Sequence, residues 1–65
     1  MPTIFFFGPT LKEEDKKELV KSFTETASRL TGIDPSAFVV YLFAVSPEDV
    51  GVGGILLKER LGQKG

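Results

Sequence analysis

The stretch Phe38-Val39-Val40-Tyr41-Leu42-Phe43-Ala44-Val45 decides the fold, because every residue in it is apolar or aromatic. A run of this length and composition predicts a β-strand. Successive side chains of a strand point to opposite faces. One face would then carry Val39, Tyr41 and Phe43, and the other Phe38, Val40, Leu42 and Ala44. Both faces are apolar, which is typical of a strand that is covered on two sides.

A strand and a helix are predicted before this stretch. Thr3-Ile4-Phe5-Phe6-Phe7 is β-branched and aromatic and stops at Gly8-Pro9, which favours a strand. Thr10 and Glu13 have the spacing of a capping box, so we expect a helix from there to about Leu30. Apolar residues recur at helical spacing along it, namely Leu19, Val20, Phe23, Ala27 and Leu30.

The segments that follow the helix and the second strand contain turn residues. Gly32 is expected to cap the helix in the left-handed conformation, and Asp34-Pro35-Ser36 to form a short turn or 3₁₀ segment. After the second strand we expect a turn over residues 46–49, a glycine-rich loop over residues 50–54 and a short strand over residues 55–57 that can form a hairpin. The tail, residues 58–65, is expected to fray or to dock on a neighbour.

The order strand, helix, strand predicts one small α+β domain over residues 1–65. A crossover of this length joins two parallel strands through a right-handed connection, giving a two-layer β-α-β protomer. A single helix covers only one face of a two-stranded sheet, so the other apolar face needs a cover from outside the chain. We therefore expect an obligate homo-oligomer. The alternative is a monomer whose apolar patch binds a partner protein.

Composition excludes several classes of function. The 65 residues include no cysteine and no histidine, which removes disulfides, the usual zinc and copper ligands and the thiol nucleophile. Neither a metal nor a cofactor is expected. A net charge of −1 does not favour nucleic acid. No apolar run is long enough for a membrane span, and the N-terminus lacks the features of a signal peptide. We expect a cytoplasmic protein, and the scarcity of thermolabile residues hints at a thermophile.

Pro2 is the most unusual candidate for chemistry. Aminopeptidases commonly remove Met1 before a small residue such as proline, which would expose a secondary amine at the head of an apolar strand. Apolar surroundings disfavour the charged form of an amine and lower its pKa. A neutral, positioned amine is a general base, and its protonated form is a general acid. A chain that begins Met-Pro by accident would carry no such role.

The whole pattern resembles a known family. Met1-Pro2-Thr3-Ile4, the charged helix start Lys12-Glu13-Glu14-Asp15-Lys16, the apolar second strand and the loop Gly51-Val52-Gly53-Gly54 are similar to the 4-oxalocrotonate tautomerase family, in particular to its short archaeal-type DmpI-like branch. The resemblance covers essentially the full chain. It implies a β-α-β protomer of the tautomerase type, dimers that merge their sheets, and a homohexamer built as a trimer of dimers.

The resemblance also implies an activity. Members are cofactor-free tautomerases, a class of isomerase, in which the N-terminal proline moves a proton on a small-molecule enol, dienol or 2-oxo acid. Pro2 matches that catalytic base. The family's arginine before the helix falls on Leu11, with Lys12 adjacent, and its second arginine, donated to a neighbouring subunit's site, falls on Val39. The aromatic residue before the glycine loop falls on Val50.

The candidates to replace the missing arginines are Lys12, Tyr41 and, from the tail, Lys58 and Arg60. Lys12 lies near a helix N-terminus, which is itself an anion site, although a lysine at a helix start is more often simply solvated. Tyr41 shares a strand face with Val39 and has a hydroxyl that can donate to a developing enolate, although tyrosine is also common at subunit interfaces. Two other functions stay open. One is a diverged member with dehalogenase-, decarboxylase- or hydratase-like chemistry, and the other is a non-catalytic oligomeric binding or structural module.

Overall fold

The computed structural model describes residues 1–62, in which strand, helix and strand are followed by a hairpin and a second helix. The long elements are strand β1 (Thr3–Gly8), helix α1 (Glu13–Thr31) and strand β2 (Val39–Ala44). The short elements are strands β3 (Gly51–Val52) and β4 (Ile55–Leu56), helix α2 (Leu57–Gly62) and 3₁₀ turns at Pro35–Ala37 and Pro47–Asp49. The predicted order of strand, helix and strand is confirmed, whereas helix α2 was not predicted.

Strands β1 and β2 form a parallel pair, as the β-α-β order predicts. Thr3 lies opposite Val39 and Gly8 lies opposite Ala44, with no shift in register between them. The hydrogen bonds between the two strands continue at both ends of the pair. Val39 N–H donates to the carbonyl of Pro2 at 3.0 Å, and Val45 N–H donates to the carbonyl of Gly8 at 2.8 Å. The two strands therefore begin at one edge of the sheet and end at the opposite edge.

Helix α1 begins later than the capping-box pattern predicts. Lys12 occupies the N-cap position, and no side chain makes a capping hydrogen bond there. The capping box of Thr10 and Glu13 is therefore wrong, because Thr10 lies two residues before the N-cap. The first turn instead carries Glu13, Glu14 and Asp15, whose negative charges favour the positive end of the helix dipole.

The helix ends as predicted, in a left-handed glycine followed by a capped 3₁₀ turn. Gly32 has φ 76° and donates its N–H to the carbonyl of Ser28. The Asp34 carboxylate accepts from the N–H of Ser36 at 2.8 Å and from its hydroxyl at 2.7 Å. These two bonds, the hydroxyl one foremost, lower the pKa of Asp34 below its usual value.

Helix α1 covers one face of the sheet. The rings of Phe23 and Phe6 lie 5.7 Å apart across this layer, and the predicted helix residues Leu19, Val20 and Ala27 are half-buried with them. Leu30, predicted for the same face, is 72% exposed. A helix of 19 residues is about 28 Å long, whereas a strand of six residues spans about 20 Å. The last helical turn therefore extends past the sheet.

The hairpin after β2 is confirmed, with a change at each end, since Gly51 and Val52 of the predicted loop form strand β3. Strands β3 and β4 pair antiparallel, and both residues between them, Gly53 and Gly54, have positive φ (62° and 87°). Positive φ at both central positions is what a two-residue type I′ turn requires. Leu57 starts helix α2 rather than ending a strand, and the tail continues as helix to Gly62 instead of fraying. The rest of the predicted tail, residues 63–65, lies outside the described residues.

The second face of the sheet stays open. Phe5, Phe7, Tyr41 and Phe43 are 59%, 65%, 48% and 40% exposed on it. Their rings stack on one another, with centroids 5.2 Å apart for Phe5 and Tyr41 and 4.7 Å apart for Phe7 and Phe43. No side chain among residues 1–62 is fully buried. The radius of gyration is 15.4 Å, against about 11 Å for a compact chain of this length, so a single copy does not enclose a core.

Candidate active site

Pro2 lies half-buried at the head of strand β1. Its carbonyl accepts the N–H of Val39 at 3.0 Å, which ties the residue to the start of β2. Met1 is 89% exposed, and its carbonyl accepts only a local hydrogen bond from the Thr3 hydroxyl at 3.3 Å among residues 1–62. The bond between Met1 and Pro2 is thus at the surface, while the proline that follows it is held by the sheet.

Val39 and Tyr41 follow Pro2 along the sheet. Val39 is half-buried and lies opposite Thr3. Tyr41 lies opposite Phe5 in the middle of the strand pair, and its ring stacks on that of Phe5 on the open face. Val39 therefore lies at the same end of the sheet as Pro2, and Tyr41 lies on the open face, which a neighbouring molecule can reach.

Leu11 and Lys12 lie beyond the other end of β1. Leu11 is half-buried and lines a small cleft with Phe6 and Pro9. Lys12 is exposed, and its carbonyl accepts the N–H of Lys16 at 2.9 Å, which starts the first turn of α1. Its ammonium makes no ion pair within residues 1–62, where the pair between Lys17 and Glu13 (3.6 Å) is the one found.

Val50 lines an apolar pocket at this same end of the sheet. The pocket has a volume of about 290 Å³ and is lined by Phe7, Gly8, Pro9, Val45, Pro47, Val50 and Leu57. The carbonyl of Val50 accepts the N–H of Leu57 at 2.7 Å, which fixes the start of helix α2 beside it. None of the lining side chains carries a charge. We call this site the strand-end pocket.

One copy of the chain does not bring the candidate residues together. Pro2 and Val39 lie where the strands begin, whereas Leu11, Lys12 and Val50 lie where they end. Six residue steps separate Pro2 from Gly8 along an extended strand, a distance of about 20 Å. A site that combines both groups of residues requires a second copy of the chain.

The sequence analysis did not identify six residues of the strand-end pocket, namely Phe7, Gly8, Pro9, Val45, Pro47 and Leu57. A signal for five of them was present. Parallel strands end at the same edge of a sheet, so Phe7-Gly8-Pro9 and Val45-Ser46-Pro47, which end the two strands in the same way, meet there. Leu57 carried no such signal, because its position depends on the hairpin and the helix after it.

Within residues 1–62, no group of three acidic, histidine or cysteine side chains is placed to hold a metal ion. In the same range, neither helix combines the length and the apolar character that crossing a bilayer requires.

Comparisons with known proteins identify the family. The model of a family described as tautomerase enzyme matches residues 3–60. The solved structure of DmpI from Archaeoglobus fulgidus is 35% identical, covers 88% of this chain and 98% of its own, and superposes with a TM-score of 0.80. A 4-oxalocrotonate tautomerase homologue is 32% identical over 91% of this chain and 95% of its own, with a TM-score of 0.76.

A more distant structure supports the fold alone. TomN, a 4-oxalocrotonate tautomerase homologue in the tomaymycin biosynthetic pathway, is 24% identical and covers 95% of this chain and 97% of its own, with a TM-score of 0.87. None of the curated proteins compared with the chain matches it. With the family model matched over nearly the whole length and two relatives above 30% identity, the chain belongs to the tautomerase family, among the homologues of 4-oxalocrotonate tautomerase.

Proposed function

We propose that the chain is a cofactor-independent tautomerase whose general base is the amine of Pro2, freed by removal of Met1. One observation carries the proposal: in a chain of this family, the residue after an exposed Met1 is a half-buried proline tied to the sheet. Removal of Met1 leaves a secondary amine at a fixed position. Half-burial disfavours the ammonium form of such a group, so the neutral base is accessible near neutral pH.

The proposed reaction converts an enol of a 2-oxo acid to its ketone. The neutral Pro2 nitrogen takes the proton from the enol hydroxyl, and the electron pair of that O–H bond becomes the second bond of the carbonyl. The former C=C pair then forms a C–H bond with the proton that the proline ammonium returns. One proton leaves oxygen and one arrives at carbon, so the reaction is an isomerisation and consumes nothing. A positioned acid–base group of this kind contributes about 10²–10⁴-fold in rate.

The site is proposed to form between copies. Both strands of the two-stranded sheet are edge strands, and edge strands readily pair with another chain. A twofold axis perpendicular to the sheet makes such a pair antiparallel, which brings the Pro2 end of one copy to the strand-end pocket of the other. Further copies would cover the open aromatic face of Phe5, Phe7, Tyr41 and Phe43. The trimer of dimers that the family resemblance implies is the assembly proposed here.

Two polar side chains are proposed to assist in place of the family's arginines. Lys12 is exposed at the end of the sheet where the second copy arrives, and its ammonium can bind the substrate carboxylate. Tyr41 is half-exposed on the open face, and its hydroxyl can donate to an enolate oxygen. The positions of Leu11 and Val39 are apolar and shape the site without binding charge.

The experiment is ketonisation of phenylenolpyruvate by chain from which Met1 has been removed, a state verified by intact mass. We expect Pro2→Ala to lose about 100-fold or more of the activity. Pro35→Ala, which changes a proline in the 3₁₀ turn, is the matched control and should keep it. Equal rates for Pro2→Ala and wild type would contradict the proposal and favour a non-catalytic oligomeric module. Release of halide or carbon dioxide from suitably substituted substrates, without ketonisation, would point to the diverged chemistries instead.

A further inference from the structure

The strand-end pocket has a chemical character of its own. It lies beyond the carboxyl ends of two parallel strands, where open sheets with helical crossovers commonly bind ligands. Phe7, Val45, Val50 and Leu57 line it with apolar side chains, and two prolines and a glycine complete the lining. None of the lining side chains is charged, and none can donate or accept a hydrogen bond. Such a surface recognises shape and apolar area rather than charge.

We infer that the substrate is a monocarboxylate enol whose second substituent is apolar, with the size of a phenyl ring, and that this substituent binds in the strand-end pocket. The inference rests on the proposed function, because it places the Pro2 amine of one copy beside the pocket of another. It goes further because it names the substrate class: an enol with one carboxylate and an apolar substituent, rather than an enol with two carboxylates.

The volume of the pocket fits the inference. An apolar cavity of about 150 Å³ already holds benzene, so about 290 Å³ accepts a phenyl group together with the atoms that link it to the enol. Aliphatic groups of similar size would fit by the same criterion. The aromatic ring is the better probe because Phe7 lines one wall, and aromatic pairs add a specific attraction to the burial of apolar area.

Charge supports the same conclusion. A carboxylate placed among Val45, Val50 and Leu57 would lose its hydration without gaining a cation or a hydrogen-bond donor, and such burial is strongly unfavourable. The substrate's single carboxylate has an alternative outside the pocket. Lys12 follows the lining residue Pro9 by three positions and is exposed, so one charge can be bound there while the apolar group is buried.

The test compares two substrates that differ in one group. Phenylenolpyruvate and its 4-carboxyphenyl analogue share the enol, the first carboxylate and the ring, and only the second carries a charge at the far end of the ring. We expect kcat/KM of the Met1-free protein to favour the phenyl compound by about tenfold or more. The dissociation constants of the two ketone products, measured by calorimetry, should show the same order. Equal kcat/KM values for the two enols, or a higher value for the dicarboxylate, would overturn the inference.

Two variants test whether the pocket itself makes the selection. Val50→Lys introduces a cation into the lining and should reduce the phenyl preference about tenfold or reverse it. Val50→Met adds a chain of similar length without charge and should leave the preference with the phenyl compound. An unchanged preference in a folded Val50→Lys protein would also overturn the inference, and if that variant does not fold, the wild-type comparison decides.

Different results contradict the proline base and the apolar substrate class. Activity that survives in Pro2→Ala refutes the proline base whatever the substrate preference is. Activity that depends on Pro2 but does not distinguish the two substrates refutes only the apolar substrate class. A wild-type protein that turns over neither enol refutes the proposed function, and binding of phenylpyruvate in preference to its 4-carboxy analogue then still decides what the pocket accepts.

Discussion

Phe5→Lys is predicted to dissociate the oligomer. Phe5 is 59% exposed on the open face of the sheet and stacks on Tyr41 at 5.2 Å and on Phe43 at 6.1 Å. With about 200 Å² for a phenylalanine side chain, about 120 Å² of it is left for another copy to cover. At about 25 cal/mol per Å² this area contributes about 3 kcal/mol for each subunit. The substitution removes that contribution and places a charge among the remaining rings, which is unfavourable unless the charge is paired.

Leu30→Lys is the matched control for this experiment. Leu30 is also a large exposed apolar residue, at 72%, but it lies on the last turn of α1 and away from the sheet. Both variants gain one positive charge. Sedimentation velocity over micromolar concentrations should show an oligomer for wild type and Leu30→Lys, and smaller or unfolded species for Phe5→Lys. A wild-type protein that sediments as a folded monomer, or a Phe5→Lys protein that assembles like wild type, would contradict the proposed role of the open face in assembly.

Three further predictions concern the fold. Val40→Asp puts an unpaired carboxylate on the half-buried face under helix α1, so circular dichroism should show lost helicity or lost assembly; Val40→Ala, which removes only volume, should stay folded. Gly54→Ala forces an alanine to φ 87° and should lower the free energy of unfolding by about 1–2 kcal/mol, whereas Gly62→Ala in helix α2 should be neutral or stabilising in the same denaturation experiment. Because hydrogen bonds from Ser36 lower the pKa of Asp34 in the folded state, its carboxylate contributes stability above the ordinary value of 3.8 and loses it as the pH falls through the folded pKa. The difference in melting temperature between wild type and Asp34→Asn should therefore shrink in acid, and a constant difference would contradict this.

Local patterns predicted most of the fold, because they depend on neighbouring residues. The all-apolar run of β2, the Gly32 cap and the Gly53-Gly54 turn each follow from a backbone or burial requirement of a few adjacent positions. Thr10 shows where such patterns fail. Its spacing to Glu13 satisfies the capping motif, but the helix starts after Lys12, since three acidic side chains stabilise that start through the dipole.

Assembly of the candidate site was harder to predict from sequence. Pro2 was identified from its position in the chain alone, and Val50 from the family resemblance. The register of β1 and β2 then separates them, because both strands run in the same direction and the residues belong to opposite ends. Leu57 lines the strand-end pocket because the hairpin that precedes it brings the chain back to this end of the sheet. A local sequence pattern does not show which distant segments lie at the same end of the sheet. It also does not show which residues a second copy of the chain brings to the site.

The role of the Pro2 amine is tested most directly by two synthetic chains that differ only at the N-terminus. One chain begins at Pro2 and the other keeps Met1, which converts the proline nitrogen to an amide that cannot accept a proton. Both are refolded, matched by sedimentation and circular dichroism, and followed by the ultraviolet absorbance of phenylenolpyruvate as it ketonises. We expect a rate above buffer for the chain that begins at Pro2, and this rate should rise with pH as the amine loses its proton. The chain that keeps Met1 should show a rate equal to buffer. Equal catalysis by the two chains would contradict the role of the Pro2 amine.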